Sequence, residues 1–188
     1  MRHEAFNELC AATELAIKEA SCEYPDYGAV IEQLLIFGPQ MAMLKEACHM
    51  RVGVPVKPML AQPTKGVDVI LKRFENMEFT SEYKYDGFRG QIHFYREKDK
   101  LQPTVAVYSR NLENLTNAYP DITQFLQGFV DDEIGDFILD TELVAYDIDQ
   151  DKILPFSAVA GRSKKQYREE DKKTIIAMHA FDIMYLNG

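Results

Sequence analysis

The nine residues from Glu82 to Gly90, Glu-Tyr-Lys-Tyr-Asp-Gly-Phe-Arg-Gly, constrain the fold more than any other stretch of the chain. An Asp-Gly pair, Asp86-Gly87, lies between two runs with strand-like alternation. This predicts a strand over residues 79–85, a tight turn, and a second strand over 90–95. The lysine at the end of the first strand, Lys84, has a use that a plain turn does not require. With its stem among apolar neighbours and Arg89 close by, the neutral amine would be favoured, and that is the form able to attack an electrophile. A neighbouring arginine selects phosphate as the electrophile. Lys-x-Asp-Gly alone also describes a solvated hairpin, so its meaning depends on the rest of the chain.

Further strands are predicted at 104–109, with Val105 and Val107 on one face, at 137–146, and at 175–185. The last is apolar on both faces and is expected at the centre of its sheet. Residues 118–129 read as a helix after Pro120 with Ile122, Phe125, Leu126 and Phe129 inward. Upstream the spacing becomes helical. Residues 4–20 carry Phe6, Leu9, Cys10, Thr13 and Ile17 on one side, Asp26 caps a second helix that stops at Gly38, and a third falls within 39–48. Residues 51–65 are extended and punctuated by Pro55, Pro58 and Pro63, and 66–77 return to helical spacing with Val67, Ile70, Leu71 and Phe74 as a stripe. The chain therefore reads as α+β, with a helical segment over 1–50 and a strand-rich body over 51–188.

Composition narrows the classes. A hydrophobic share of 46% and a charged share of 27% suit a soluble globular protein. No run approaches the roughly twenty apolar residues of a membrane span, and acidic residues interrupt an N-terminus with no signal-peptide core. Cys10, Cys22 and Cys48 are scattered, with no Cys-x-x-Cys, which argues against zinc and disulfides and for a reducing compartment. The net charge of −9 divides as −5 over residues 1–50 and −4 over 51–188, so neither part is a basic nucleic-acid grip. Arg162, Lys164, Lys165, Arg168, Lys172 and Lys173 form one basic cluster, interrupted by Glu169, Glu170 and Asp171, and read first as a solvated face.

Three other places carry chemistry. Ser109-Arg110-Asn111 ends the third strand on an arginine. In Ile138–Tyr146, alternation puts Asp140, Glu142 and Tyr146 on one face. A glutamate within an apolar strand is costly unless something satisfies its charge, and a ribose hydroxyl or a metal-bound water would do so. Phe181, in Ala180-Phe181-Asp182-Ile183-Met184-Tyr185, offers a flat apolar ring.

Together these segments resemble, in order, the motifs of lysine nucleotidyltransferases: ATP-dependent DNA ligases, RNA ligases and mRNA-capping enzymes. The longer run from Val56-Lys57-Pro58-Met59-Leu60-Ala61 to Gly87 is similar to eukaryotic and archaeal replicative-type DNA ligases, and the resemblance extends from about Tyr24 onward. It implies that residues 1–50 are the last helices of a DNA-binding domain. Residues 51–188 would be the first part of a nucleotidyltransferase (ATP-grasp-like adenylation) domain with antiparallel sheets. ATP and Mg2+ would be the cofactors. By the same resemblance Lys84 takes AMP, Glu82 contacts the adenine edge, and Arg89 the sugar and phosphate. Arg110 would contact the nucleotide or the nick phosphate, Glu142 the ribose and Mg2+, and Phe181 would stack on adenine. The implied partner is nicked double-stranded DNA and the implied compartment the nucleus. Later nucleotide-binding motifs and an OB-fold domain would follow Gly188, so the chain is expected to be a piece that adenylates poorly alone. Two alternatives stay open: an RNA ligase or capping-type enzyme, and a catalytically incompetent fragment that acts only in binding.

Overall fold

The computed structural model describes residues 2–131, 133–162 and 174–188. It opens with three helices, α1 (Arg2–Glu23), α2 (Tyr27–Phe37) and α3 (Met41–Ala47). Local signals set the limits of α2. The Asp26 carboxylate accepts from the Ala29 N–H at 3.1 Å, and Gly38 ends the helix at φ 64°, where a side chain would be strained. Ala20, Tyr24, Val30 and Cys48 form a small buried cluster with Ile17, Ala29 and Val54 against it. α1 thus turns inward through Ala16 and Ala20, while Phe6, Leu9 and Cys10 of the expected stripe are exposed.

The body follows as α4 (Val67–Arg73), β1 (Phe88–Tyr95), β2 (Thr104–Ser109), α5 (Pro120–Phe129), β3 (Phe137–Asp147), β4 (Lys152–Ile153), α6 (Phe156–Arg162) and β5 (Thr174–Leu186). The sheet is antiparallel. β1 lies between β2 and β3, and β3 pairs along its full length with β5 and at its end with β4. One face carries the main core, where Ile92, Phe94, Val105, Val107, Leu143 and Ala145 meet Ile122 and Leu126 of α5 and Val159 of α6.

The other face of β1 is buried as well, although its residues are polar. Gln91 and His93 lie beneath segment 51–56, expected to be extended throughout but folded into a turn at Val52-Gly53, which crosses them like a strap. The Gln91 amide accepts from the Val56 N–H at 2.8 Å and donates to the Val56 carbonyl at 3.0 Å, the two bonds a neighbouring strand would make. His93 Nδ1 accepts from the Gly53 N–H at 3.0 Å, which fixes the tautomer, so Nε2 donates to Gln91 Oε1 at 2.9 Å. The Tyr108 hydroxyl donates to the Gly53 carbonyl. Val54 meanwhile packs on the helical cluster, so the strap fastens helices and sheet together.

Several sequence expectations change. Residues 79–85 form no strand: the first strand begins only at Phe88, opposite Leu143 of β3, and the segment before it has no pairing partner among the described residues. β5 is not central: among the described residues it pairs with β3 alone, and Phe181 and Ile183 are 45% and 62% exposed. An apolar run reports a preference for burial, not the number of its neighbours. In α5 the inward stripe is Ile122 and Leu126, while Phe125 and Phe129 stack on each other outside, 5.0 Å between centroids. α4 ends at Arg73 and buries nothing fully, and Val67 and Leu71 are exposed. The basic cluster from Lys164 to Lys173 lies outside the described residues; Arg162 ends α6.

Burial lowers the His93 pKa from 6.5 to about 4. A base depressed on folding leaves the unfolded chain binding more protons in the window between those values, so stability falls as pH drops from about 6.5 to 4, by up to about 3 kcal/mol. Urea unfolding across that window should show the decline, and His93→Gln should flatten it. Parallel profiles for the two proteins would contradict the assignment.

Candidate functional site

An open cleft of about 1370 Å³ lies over the face of the sheet opposite the main core. Its floor comes from three strands: Arg89 of β1, Glu142 of β3 and His179 of β5. Register accounts for this grouping, since Arg89 pairs with Glu142, and Glu142 with His179, in one row across the sheet. Met59 and Ala61 form one wall and residues 81–85 another.

The segment carrying Lys84 approaches β3 at Gly87. A Cβ there would fall 2.4 Å from the Leu143 carbonyl oxygen and 2.7 Å from Val144 Cγ1, so only glycine fits. The Gly87 N–H donates to Glu142 Oε1 at 3.1 Å, which ties the Asp-Gly turn to the glutamate on the neighbouring strand. Burial raises the Glu142 pKa. The Gly87 bond and the positive charges of Lys84 and Arg89 oppose that rise, and the charge of Asp140 adds to it.

Arg89 is held from three sides. Its Nε and Nη2 donate to the two oxygens of Asp140 at 2.9 and 2.5 Å, and Nη1 donates to the Met59 carbonyl at 3.0 Å. Its guanidinium lies 5.5 Å from the Phe181 ring centroid. The bonds to Asp140 raise the Arg89 pKa. Asp140 was legible on the Glu142 face, and two carboxylates side by side within an apolar strand call for a cation between strands.

Phe181 reaches the cleft through an irregularity. Ala180 pairs with Thr141 and Asp182 with Asp140, so Phe181 is the extra residue of a β-bulge, a feature that re-aims a side chain. Pairing patterns of this kind leave no mark in the sequence of one strand.

Of the six residues singled out from the sequence, the cleft therefore brings together Glu82, Lys84, Arg89, Glu142 and Phe181. Arg110 is not among its lining residues. It stands exposed on the turn after β2, where Ser109 Oγ accepts from the N–H groups of Asn111 and Glu113 and shapes the bend. Lys84 itself is exposed and not partly buried, since its segment runs along the rim without strand pairing, and Arg89 is ion-paired with Asp140 while still lining the cleft. Among the cleft residues not singled out from the sequence are Tyr85 and His179, whose rings stack with centroids 3.8 Å apart and planes 18° off parallel.

A family model described as ATP dependent DNA ligase domain matches residues 58–188. DNA ligase 1 of Saccharomyces cerevisiae is 41% identical over 182 residues, which is 96% of this chain and 23% of the relative. DNA ligase 1 of Drosophila melanogaster is 37% identical over 185 residues, 98% of this chain and 24% of the relative. A DNA ligase of Staphylothermus marinus is 35% identical over 139 residues, 73% of this chain and 22% of the relative. The chain spans less than a quarter of the length of each of these relatives. With the family model covering well over half of it, this chain belongs to the ATP-dependent DNA ligase family.

Proposed function

We propose that this chain supplies the lysine-charging half-site of a DNA-joining enzyme. Lys84 Nζ, as the neutral amine, attacks the α-phosphorus of ATP, the bond from that phosphorus to the oxygen bridging to the β-phosphate breaks, pyrophosphate leaves, the nitrogen gives up a proton to solvent, and a lysine–AMP phosphoramidate remains. In the full reaction AMP passes to the 5′-phosphate at a nick, and attack by the 3′-hydroxyl joins the strands and releases AMP. The observation that supports this reading best is a single cleft lined by an amine, an acid on the neighbouring strand and a bulge-directed aromatic ring, in a chain of the ligase family.

Each residue has a part that its surroundings favour. Glu82 faces the adenine edge, and Phe181 stacks on the base, with Arg89 behind the ring. Arg89, oriented by Asp140 and Met59, presents its charge to the sugar and phosphates. Glu142 holds the Asp-Gly turn with one oxygen and has the other for ribose or Mg2+. Among the described residues no three acidic, histidine or cysteine side chains gather as a metal cage. One carboxylate suits Mg2+, which keeps most of its waters and takes the rest of its ligands from substrate phosphates. When bound, it would neutralise charge developing on those phosphates. Arg110, exposed beyond the cleft, is better placed for a phosphate of the bound DNA than for the nucleotide.

The net charge of −9 supports a reading in which most of the grip on nicked duplex DNA comes from outside this chain. Kinship with eukaryotic DNA ligases supports work in the nucleus, in replication, repair and recombination. No described helix is long and apolar enough to cross a membrane.

Tests use the full-length polypeptide with α-labelled ATP and Mg2+. Label should appear on Lys84 and vanish in Lys84→Arg; label retained by that variant on another lysine would refute the assignment. Glu142→Gln keeps an oxygen for the Gly87 N–H and loses the charge, and should slow AMP transfer about a hundredfold with little change in melting temperature. Arg89→Lys loses the paired bonds to Asp140 and should raise the KM for ATP about tenfold. Unchanged kinetics in either variant would remove that residue from the site.

A further inference from the structure

We propose that His179 is a positioning residue for Lys84, acting through the ring of Tyr85. This rests on the reading of Lys84 as the lysine that takes AMP, and it names what holds that lysine in place. The need for such a device follows from the backbone. After the Met77 N–H bonds the Phe74 carbonyl, residues 78–86 form no helix or strand and make no backbone–backbone hydrogen bond among the described residues. The chain is fixed again at Gly87, by its bond to Glu142 and its close seat on β3. Lys84 is three residues before that anchor, and its other neighbour, Tyr83, is 92% exposed.

Only Tyr85 gives this stretch a footing next to the lysine. Its ring lies flat on His179, 3.8 Å between centroids and 18° between planes, and His179 is on β5 directly across from Glu142. β5 pairs with β3 along the whole strand, so His179 belongs to the rigid floor of the cleft and Tyr85 to its loose rim. Stacking joins the two. It fixes the backbone of the residue after Lys84, and with Gly87 it anchors the chain on the C-terminal side of the lysine, so the amine reaches for a phosphate from a fixed stem. Because His179 meets Tyr85 with its face, the contact depends on flat ring surface and not on a proton, so another aromatic residue should serve.

The test compares His179→Ala, His179→Phe and Tyr85→Leu in the full-length polypeptide by single-turnover AMP transfer from α-labelled ATP. His179→Ala and Tyr85→Leu should each slow transfer at saturating ATP about tenfold or more, since small displacements of a reacting group are costly. The KM for ATP should stay within about twofold. His179→Phe should restore the rate to within about threefold, and the double variant His179→Ala/Tyr85→Leu should be no slower than either single one. Tyr85 ring-proton shifts, measured by NMR on this chain, should move downfield in His179→Ala and not in His179→Phe, which reports the stack apart from the chemistry. An unchanged rate in His179→Ala, an equal loss in His179→Phe, a loss confined to KM, or additive losses in the double variant would each overturn the inference. A parent protein carrying no AMP on Lys84 would overturn the reading of Lys84, and this inference with it.

Discussion

The seat of Gly87 on β3 organises the cleft. A backbone N–H bonded to Glu142, at a position where a Cβ would collide with the Leu143 carbonyl, brings an unpaired loop against the middle of a rigid sheet. Everything the cleft can do depends on that meeting. The loop carries Lys84 and Glu82, the strand carries Glu142, and without the close approach the amine and the carboxylate would belong to separate surfaces. The Asp-Gly pair thus serves less as a hairpin turn, as its letters suggest, than as a point where two chain segments touch with nothing between them.

Charge is arranged around this point with economy. Arg89 and Asp140 are bonded side by side, so the cation that faces the cleft is oriented before any ligand arrives. Glu142 feels the charges of that pair and of Lys84, and burial works against its ionisation while the neighbouring cations favour it. Farther along the same face of β1 the strategy is different. Gln91 and His93 are buried, neutral and fully engaged with the strap at Gly53 and Val56, which anchors the stretch leading to Met59 and Ala61 on the cleft wall. One strand therefore serves the core, the cleft and the attachment of the helices.

The parts legible in the sequence were those set by local rules or by motif order. Asp26 and Gly38 delimit α2 by capping chemistry, and alternation placed Asp140 and Glu142 on one face of β3. The parts not legible depend on register between distant segments. The Arg89–Asp140 pair, the Tyr85–His179 stack and the strap on Gln91 and His93 join residues 51, 94, 35 and 40 positions apart, and no single window contains both partners. The bulge at Phe181 is invisible without its partner strand. Alternation over 79–85 misled because it reports which side chains could share a face and not whether a partner strand lies alongside, and among the described residues this segment pairs with none. Apolarity in β5 misled because Phe181 and Ile183 are exposed where a second neighbour would be required for burial.

The central claim concerns where a nucleotide lies relative to one amine. A crystal structure of the full-length polypeptide with an ATP analogue whose α,β-bridging oxygen is replaced by methylene measures this directly. The account predicts the base against Phe181, the ribose beside Glu142, and Lys84 Nζ about 3–3.5 Å from the α-phosphorus, in line with the methylene group. A nucleotide bound elsewhere, or bound in this cleft with the Lys84 amine turned away from the phosphate, would contradict it.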